Sequence, residues 1–326
     1  MPETKLQAGL YRSSFFDELF ERLLSLVLQN PSAIPVITGP TAAGKSRMAL
    51  KLAAKTSGEI VSVDAMQVYR GFDIGTAKPS REDRAAIPHH LLDILDPCEE
   101  ISVAAFTERA VKLLQSLLEA QKKPILCGGS VQYVSALLDG IRFSAPKPDP
   151  GLRSRIAKQV DERGLEASWQ RMRQMDPQAA ASVNPADRRR IIRFFELLQQ
   201  TGMTKTALNE MSRASGPPFP FLPVWLDLSP RQALYDLIDR RVDAMYEAGL
   251  LGEVRGLMEQ YPRYRECPAF RGIGYRQAVS LLEGEVSERE SRELTARATR
   301  RYAKRQQTWL RQRKDLTILL LEQKPA

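Results

Sequence analysis

The stretch that most constrains the fold of this 326-residue chain is GPTAAGKS, residues 39–46, which fits the pattern GxxxxGK[ST]. It follows the apolar run Ile34–Thr38 and precedes the helical run SRMALKLAAK, the context in which this pattern forms a phosphate-binding loop. Backbone N–H groups and the helix N-terminus converge on phosphate oxygens there, and Lys45 adds a positive charge. The Ser46 hydroxyl is suited to ligate Mg²⁺, so the sequence predicts a phosphate site with Mg²⁺ as cofactor.

The rest of the chain continues the alternation of strands and helices that this loop begins. Four more apolar, β-rich runs occur at Glu59–Val63, Pro124–Cys127, Pro223–Leu228 and Leu316–Leu321. Strands alternating with helices predict an α/β protein with a P-loop NTPase-like doubly wound parallel sheet. Pro-rich stretches at Ser144–Pro150 and Ser215–Pro223 bracket an Arg-rich helical segment, which predicts an inserted helical domain. The predicted parts are a helical N-terminal extension (1–30), a core domain (31–145 and 220–326) and a helical insertion (146–219).

The N-terminal run FFDELFERLLSLVLQN has apolar residues at helical spacing, interrupted by acidic residues such as Asp17 and Glu21. Those charges exclude a signal peptide and a membrane span, and the spacing predicts an amphipathic helix that packs on the core. Three widely separated cysteines, Cys98, Cys127 and Cys267, suggest neither a disulfide nor a zinc site. A cytoplasmic location with no membrane partner is therefore expected.

The charge balance points to a polyanionic partner. The chain has 48 Lys and Arg residues against 39 Asp and Glu, a net charge of +9. The run RATRRYAKRQQTWLRQRK, which begins at Arg297, has no acidic residue before Asp315 and includes Tyr302 and Trp309. A solvated basic helix is one interpretation, but the interleaved aromatic residues favour a helix that faces nucleic acid.

Asp64 comes at the end of the second apolar run. In a parallel sheet this position lies in the crevice over the carboxyl ends of the strands, facing the bound phosphates. A kinase would use such a carboxylate for substrate or metal, whereas a transferase would use it as a base toward an incoming nucleophile.

Six ordered motifs decide between these alternatives. The phosphate loop, SVDAMQVYRGFDIGTAKPS, PHHLLDILDP, DRRRIIRFFE, RGIGYRQ and TRRYAKRQQTWLR span Ile34 to Arg311, and together they resemble the bacterial tRNA dimethylallyltransferase (tRNA isopentenyltransferase) family. The resemblance implies transfer of a dimethylallyl group from dimethylallyl diphosphate to N6 of adenosine 37, beside the anticodon of tRNA, with release of diphosphate. It also implies a monomer that binds the tRNA anticodon stem-loop.

The resemblance assigns roles to individual residues. Asp64, Lys45, Thr41 and Arg241 would be catalytic, with Asp64 orienting the adenine N6 group and Arg241 on the diphosphate. The diphosphate would be held by the loop residues Gly39, Pro40, Thr41, Ala42, Ala43, Gly44, Lys45 and Ser46. The tRNA would be bound by Asp64, Ala65, Met66, Gln67, Ser130, Arg153, Arg189, Arg190, Arg193, Arg271, Gly274, Tyr275, Arg276, Lys304, Arg305, Gln306, Trp309 and Arg311.

Two motifs depart from the family pattern. The family usually has DSMQ where this chain has Ala65, and GGTGLY where it has GGSVQY with Gln132. Gln132 either alters the donor pocket or merely repacks. Three alternative functions stay open: an adenylate isopentenyltransferase acting on free AMP, ADP or ATP, a P-loop small-molecule kinase, and a non-catalytic RNA-binding protein. An adenylate enzyme would need no large basic surface, and a kinase would turn over ATP. A non-catalytic RNA-binding protein would have no need of an intact phosphate loop and Asp64.

Overall fold

A computed structural model describes residues 13–141, 149–214 and 216–322 of the chain. The chain folds into two compact units. The core unit takes the described residues up to Leu138 and from Phe219 onward, and the helical unit is Asp139–Pro218. Of the two Pro-rich stretches that bracket the predicted insertion, residues 144–148 and Ser215 lie outside the described residues.

Six strands of the core unit form one parallel sheet, in the order β3-β2-β4-β1-β5-β6. The strands are β1 Ile34–Thr38, β2 Gly58–Ser62, β3 His89–His90, β4 Lys123–Cys127, β5 Phe221–Ser229 and β6 Thr317–Glu322. Each of the five apolar runs lies on one of the longer strands, so the predicted parallel sheet is confirmed. Only the two-residue strand β3 carries no sequence signal, because it is too short to show a period.

Helices cover both faces of this sheet. Adjacent residues of β1 show the two faces, since Val36 packs into one hydrophobic core and Ile37 into the other. In the core unit the helices are α1 Ser13–Gln29, α2 Lys45–Thr56, α3 Arg81–Ala86, α4 Val103–Glu119, α5 Val131–Leu138, α11 Arg231–Glu247, α12 Leu250–Gln260, α13 Tyr275–Leu282 and α14 Glu288–Leu310, with a 3₁₀ turn at Pro268–Arg271. Strands buried on both faces read as continuous apolar runs, which is why the sequence reveals them.

The helical unit has a separate core. Its helices are α6 Pro150–Arg163, α7 Leu165–Met175, α8 Pro177–Ala181, α9 Arg188–Thr201 and α10 Lys205–Arg213. Leu152, Ile156 and Val160 of α6 pack against Ile191 and Phe194 of α9. Their spacing along each helix places the apolar side chains on one face and leaves the arginines on the other.

Helix α1 packs on the core unit, as the sequence predicts. Phe16, Leu19, Phe20 and Leu23 are buried with residues of α2 and of the sheet. On the outer side Lys51 lies over the Phe20 ring, 4.3 Å from its centroid. None of the helices described is long and apolar enough to cross a bilayer.

The prediction that the cysteines are unpaired is wrong for two of them. Cys98 and Cys267 form a disulfide although 169 residues separate them in sequence. The Ala269 N–H also donates to the Pro97 carbonyl at 3.3 Å, so the two chain segments lie side by side. Sequence spacing carries no information about such a pair, because the intervening fold brings the two cysteines together. Cys127 keeps a free thiol.

Candidate active site

The phosphate loop joins β1 to α2 at the carboxyl end of the sheet. Gly39 passes so close to β5 that a Cβ atom there would lie 2.3 Å from the Leu226 carbonyl oxygen, so no other residue fits. Gly44 has φ +83°, which sets the turn into α2 at Lys45. The loop residue Ala42 also has a positive φ, 66°. The N-terminus of α2 therefore points at the site where a phosphate group would sit.

Lys45, the first residue of α2, folds its side chain back over this loop. Its Nζ donates to the Pro40 carbonyl at 2.7 Å. Burial of the ammonium group lowers the pKa of Lys45 from 10.5 to about 8, and the nearby positive charge of Arg241 acts in the same direction. Burial raises the pKa of the neighbouring Cys127 thiol to about 11, so this thiol is neutral. The loop thus holds a desolvated cation that an incoming anion would stabilise.

One pocket of the core unit brings the four predicted catalytic residues together. Thr41, Lys45 and Asp64 line it, and so does Arg241 of α11. The other lining residues are Ser46, Ala49, Leu50, Ile60, Ser62, Gln67, Thr76, Ala77, Pro79, His89, Leu92, Cys127, Gly128, Gly129, Tyr302 and Gln306. The pocket therefore has the cations Lys45 and Arg241 at its loop end and a mixed polar and apolar lining elsewhere.

Asp64 follows β2 at the carboxyl edge of the sheet, as predicted. Its Oδ1 accepts from the N–H of Met66 at 2.8 Å, and more weakly from that of Gln67 at 3.4 Å. Among the described residues no hydrogen bond reaches Oδ2. The turn is fixed further because the Ala65 N–H donates to Ser130 Oγ at 2.8 Å. Asp64 is thus held by one oxygen, and the other is available to a substrate N–H group.

Three residues assigned to tRNA from the sequence are engaged inside the protein. Gln67 accepts from Ser62 Oγ at 2.9 Å. Tyr275 is fully buried, and its hydroxyl donates to Glu253 at 2.6 Å. Gln306 is also buried. Tyr275 presents no surface to RNA, and the amide of Gln306, which also lines the pocket, is bonded to two of the protein's own loops. The sequence pattern could not show this, because it depends on which face of each helix meets the core.

Of the remaining candidates of the core unit, Ser130 and Gly274 are buried, and the others lie near or at its surface. Met66 packs against Gly272, where a Cβ atom would lie 2.4 Å from Met66 Cε. Gly274 has φ +92° and begins α13. Trp309 is half-buried, with the guanidinium of Arg313 5.4 Å from its ring centroid. The exposed basic residues are Arg271, Arg276, Lys304, Arg305 and Arg311.

In the helical unit the candidate arginines lie on α6 and α9. Arg189 and Arg190 are exposed near the start of α9. Arg153 of α6 and Arg193 of α9 both approach the fully buried Glu196, with Nη1 to Oε2 distances of 3.6 and 2.9 Å. Neither carboxylate oxygen of Glu196 has a hydrogen bond of good geometry within the described part of the chain. No pattern in the sequence indicates that this carboxylate is buried.

Two other polar residues that shape the pocket are not among those predicted from the sequence. Lys78 is buried and donates to the Tyr69 carbonyl at 2.5 Å, to Asp73 at 2.7 Å and to Asp93 at 2.6 Å. Glu253 accepts from the Ile74 N–H at 2.8 Å and from Tyr275. Both fix the segment that follows Asp64. Lys78 lies within the GTAKPS part of the second motif, and this is the only sequence feature that could have indicated its role. Nothing in the sequence marks Glu253.

The two departures from the family pattern have little effect on the pocket. Gln132 is exposed on α5 and is not among the residues that line the pocket. Ala65 contributes its backbone N–H to Ser130, which any residue could do. The idea that Gln132 alters the donor pocket is therefore not supported by its position.

The pocket fits a magnesium ion that is bound mainly through substrate phosphates. No group of three or more His, Cys, Asp or Glu side chains suited to a metal occurs in the described ranges. Mg²⁺ needs no such cage, since it usually keeps several waters and takes one or two protein ligands besides phosphate oxygens. Ser46, which lines the pocket beside Lys45, offers one hydroxyl ligand of the right kind.

Comparisons with known proteins give a consistent result. The family model described as IPP transferase matches residues 67–313. A tRNA dimethylallyltransferase of Roseiflexus castenholzii is 40% identical over 283 residues, covering 87% of this chain and 91% of the relative. The tRNA dimethylallyltransferase 1 of Trichlorobacter lovleyi is 42% identical over 277 residues, covering 85% of this chain and 90% of its own length.

Solved structures agree. The tRNA isopentenylpyrophosphate transferase of Bacillus halodurans superposes with a TM-score of 0.65 at 36% identity, covering 89% of this chain and 90% of the other. A eukaryotic dimethylallyltransferase acting on tRNA gives a TM-score of 0.75 at 27% identity, covering 89% and 74%.

Proposed function

This chain belongs to the IPP transferase family of tRNA dimethylallyltransferases, and from this premise we propose how its pocket carries out the reaction. A dimethylallyl group passes from dimethylallyl diphosphate to N6 of adenosine 37, next to the tRNA anticodon. The N6–C bond forms, the allylic C–O bond breaks, diphosphate leaves, and N6 loses a proton. The observation that carries this proposal is the single pocket lined by Lys45, Ser46, Asp64 and Arg241.

At the loop end of the pocket the protein stabilises the leaving group. Breaking the C–O bond builds negative charge on the diphosphate, and Lys45, Arg241 and the loop N–H groups are directed to that end. Thr41 lies beside the bond that breaks. Ser46 would hold Mg²⁺ together with the substrate, and the ion would supply further positive charge to the leaving group. The loop therefore serves a leaving group, and no nucleotide is hydrolysed.

At the other end Asp64 acts on the nucleophile. An exocyclic adenine amine is a weak base, so its orientation toward the allylic carbon contributes more than its deprotonation. Asp64, fixed through Oδ1 by the Met66 N–H, directs Oδ2 at the N6–H group and accepts its proton as the N–C bond forms. The adenine leaves its stack to enter the pocket, at a cost of a few kcal/mol.

In the core unit the exposed basic residues of α14 and of the RGIGYRQ segment bind the anticodon stem-loop, and in the helical unit those of α9 do so. Unstacked loop bases suit such residues, because they can stack on aromatic rings and on guanidinium planes. We further propose that the protein acts as a monomer in the cytoplasm.

One assay tests the proposal. The protein is incubated with dimethylallyl diphosphate and an unmodified anticodon stem-loop RNA, with an RNA carrying guanosine at position 37 as control. Nucleoside mass spectrometry should find dimethylallyladenosine only in the first RNA, with one diphosphate released per transfer. Prenylation of free AMP without RNA would instead support the adenylate enzyme, and transfer of a phosphoryl group from ATP to a small-molecule acceptor, with formation of ADP, would support a kinase.

A further inference from the structure

Helix α14 buries two consecutive amide side chains at the carboxyl edge of the sheet. Gln306 is 2% exposed and Gln307 is 3% exposed. Gln307 Nε2 donates to Asp227 of β5 at 2.7 Å, which anchors the helix to the sheet. Gln306 points instead at the phosphate loop. Buried amides are retained only when their hydrogen bonds are satisfied, so the partners of Gln306 show what its position is for.

Both ends of the Gln306 amide are bonded to loops of the pocket. Oε1 accepts from the Thr41 N–H at 2.9 Å, and Nε2 donates to the Gly129 carbonyl at 2.7 Å. The first loop binds phosphate, and the second follows β4. The orientation of the amide is not ambiguous, because an N–H group requires an acceptor and a carbonyl requires a donor.

The Gln306 amide packs closely against the loop that contains Gly129. A Cβ atom on Gly129 would lie 2.4 Å from Gln306 Nε2 and 3.1 Å from the Gly39 carbonyl oxygen. Gly129 is thus required where two loops and α14 meet. On the other side of the phosphate loop, Lys45 holds the Pro40 carbonyl at 2.7 Å. A phosphate group that binds Lys45 competes with that contact, whereas the contact between Gln306 and Thr41 fixes the Thr41 backbone N–H toward α14.

We propose that Gln306 is a positioning residue for the diphosphate loop, and that it contributes no contact to RNA although it lies in the basic helix. This inference rests on the proposed function, since it takes the loop's ligand to be a diphosphate. Gln306 keeps the loop in its anion-binding shape by accepting the hydrogen bond of the Thr41 N–H. Its loss should therefore weaken diphosphate binding and leave the affinity for RNA almost unchanged.

Two substitutions test the inference. Gln306→Met has similar length but neither donor nor acceptor, so it leaves the Thr41 N–H and the Gly129 carbonyl unpaired. We expect affinities for dimethylallyl diphosphate and for inorganic diphosphate to fall about tenfold or more. The dissociation constant of the stem-loop RNA should stay within about twofold of the wild-type value. The control is Gln312→Met, because Gln312 is exposed just beyond α14. In this control the dissociation constants of dimethylallyl diphosphate, inorganic diphosphate and RNA should all stay within about twofold.

Gln306→Glu gives a readout that a merely structural role would not produce. The ionised carboxylate can accept from Thr41 but opposes the Gly129 carbonyl, whereas the protonated acid has one donor and one acceptor, like the native amide. Relative to wild type at the same pH, diphosphate affinity should be reduced at about pH 8 and largely recovered at about pH 5.5, since burial raises the pKa of a carboxyl group.

The comparison at two pH values within one variant keeps the test valid even if Gln306→Met folds poorly. Unchanged diphosphate affinity in both variants, or a pH-independent loss in Gln306→Glu, would overturn the inference. So would a fall in RNA affinity alone, which would restore Gln306 to the RNA surface. If the wild-type protein itself bound no diphosphate, both the proposed function and this inference would fail.

Discussion

Asp64 is the residue on which the proposed chemistry depends most. Asp64→Asn keeps the size and an acceptor oxygen at Oδ1 for the Met66 N–H, so the turn should survive. It removes the negative charge that favours departure of the N6 proton. Single-turnover prenylation from a preformed complex should slow about 10²- to 10⁴-fold while both substrates still bind. A slowing of less than threefold would give Asp64 a structural role, with Ser130 and Gln67 the next candidates for orienting the adenine.

Lys45 predicts a pH dependence of donor binding. Its pKa in the ligand-free protein is lowered to about 8, so the side chain loses its proton as pH rises through that value. Diphosphate requires the ammonium form and draws the pKa back up. Donor affinity should therefore be highest below about pH 8 and fall up to tenfold per pH unit above it. Isothermal titration of dimethylallyl diphosphate at a series of pH values measures this.

The matched control for the pH series is Lys45→Arg, because arginine stays protonated throughout the range. Its donor affinity is expected to be weaker overall but flat between about pH 7 and 9.5. A wild-type profile as flat as that of the variant would mean that Lys45 does not titrate in the free pocket.

Among the elements, α14 combines two functions on two faces. Its buried face holds the sheet and the phosphate loop through Gln307 and Gln306, and its other face exposes Lys304 and Arg305. Replacing Lys304 and Arg305 with Ala should weaken RNA binding and reduce its salt slope by roughly 0.7 to 0.9 per lost phosphate contact, with little change in donor affinity. Arg255→Ala with Arg289→Ala removes the same charge from exposed positions not assigned to RNA, and should leave the slope unchanged. If the salt slope of RNA binding were the same in both double variants, α14 would be a solvated helix that does not contact RNA.

Helices α6 and α9 meet around a buried charge that is costly to keep for stability alone. Replacing every member of a buried ion pair with apolar side chains is often neutral or stabilising, whereas removing one partner leaves the other charge unpaired, and Arg193 Nη1 is itself buried. We expect Glu196→Met to lower the melting temperature and to lower RNA affinity about tenfold, because both arginines lose their partner and their fixed orientation. The control is Glu162→Met, at an exposed position of α6. A higher RNA affinity in Glu196→Met would show that the carboxylate only weakens the positive surface.

For the whole molecule, the net charge of +9 makes RNA affinity a function of ionic strength. Diphosphate binding depends on a few desolvated groups in the pocket, and these are screened much less. Raising the salt concentration from about 50 to 200 mM should therefore raise the KM for stem-loop RNA by at least tenfold and that for the donor by less than threefold. Steady-state kinetics with each substrate varied in turn would check this, and similar shifts in both constants would contradict it.

The sequence by itself determined the features that depend on neighbouring residues. The phosphate loop is one uninterrupted stretch between a strand and a helix, and the long strands are apolar runs because both of their faces are covered. Asp64 follows directly from its place after β2. The order of motifs was enough to indicate the family, and with it the reaction and the candidate residues.

The tertiary structure decided which of those residues face the pocket and which face the core. Gln306 meets Thr41 across 265 residues, and Cys98 meets Cys267 across 169. Tyr275 turns inward to Glu253, and Glu196 is buried beside arginines of α6 and α9. These contacts join residues distant in the chain, and a local pattern does not contain them. Burial follows from how all the elements pack at once, so only the folded chain separates a residue that binds substrate from one that holds the binding loop in place.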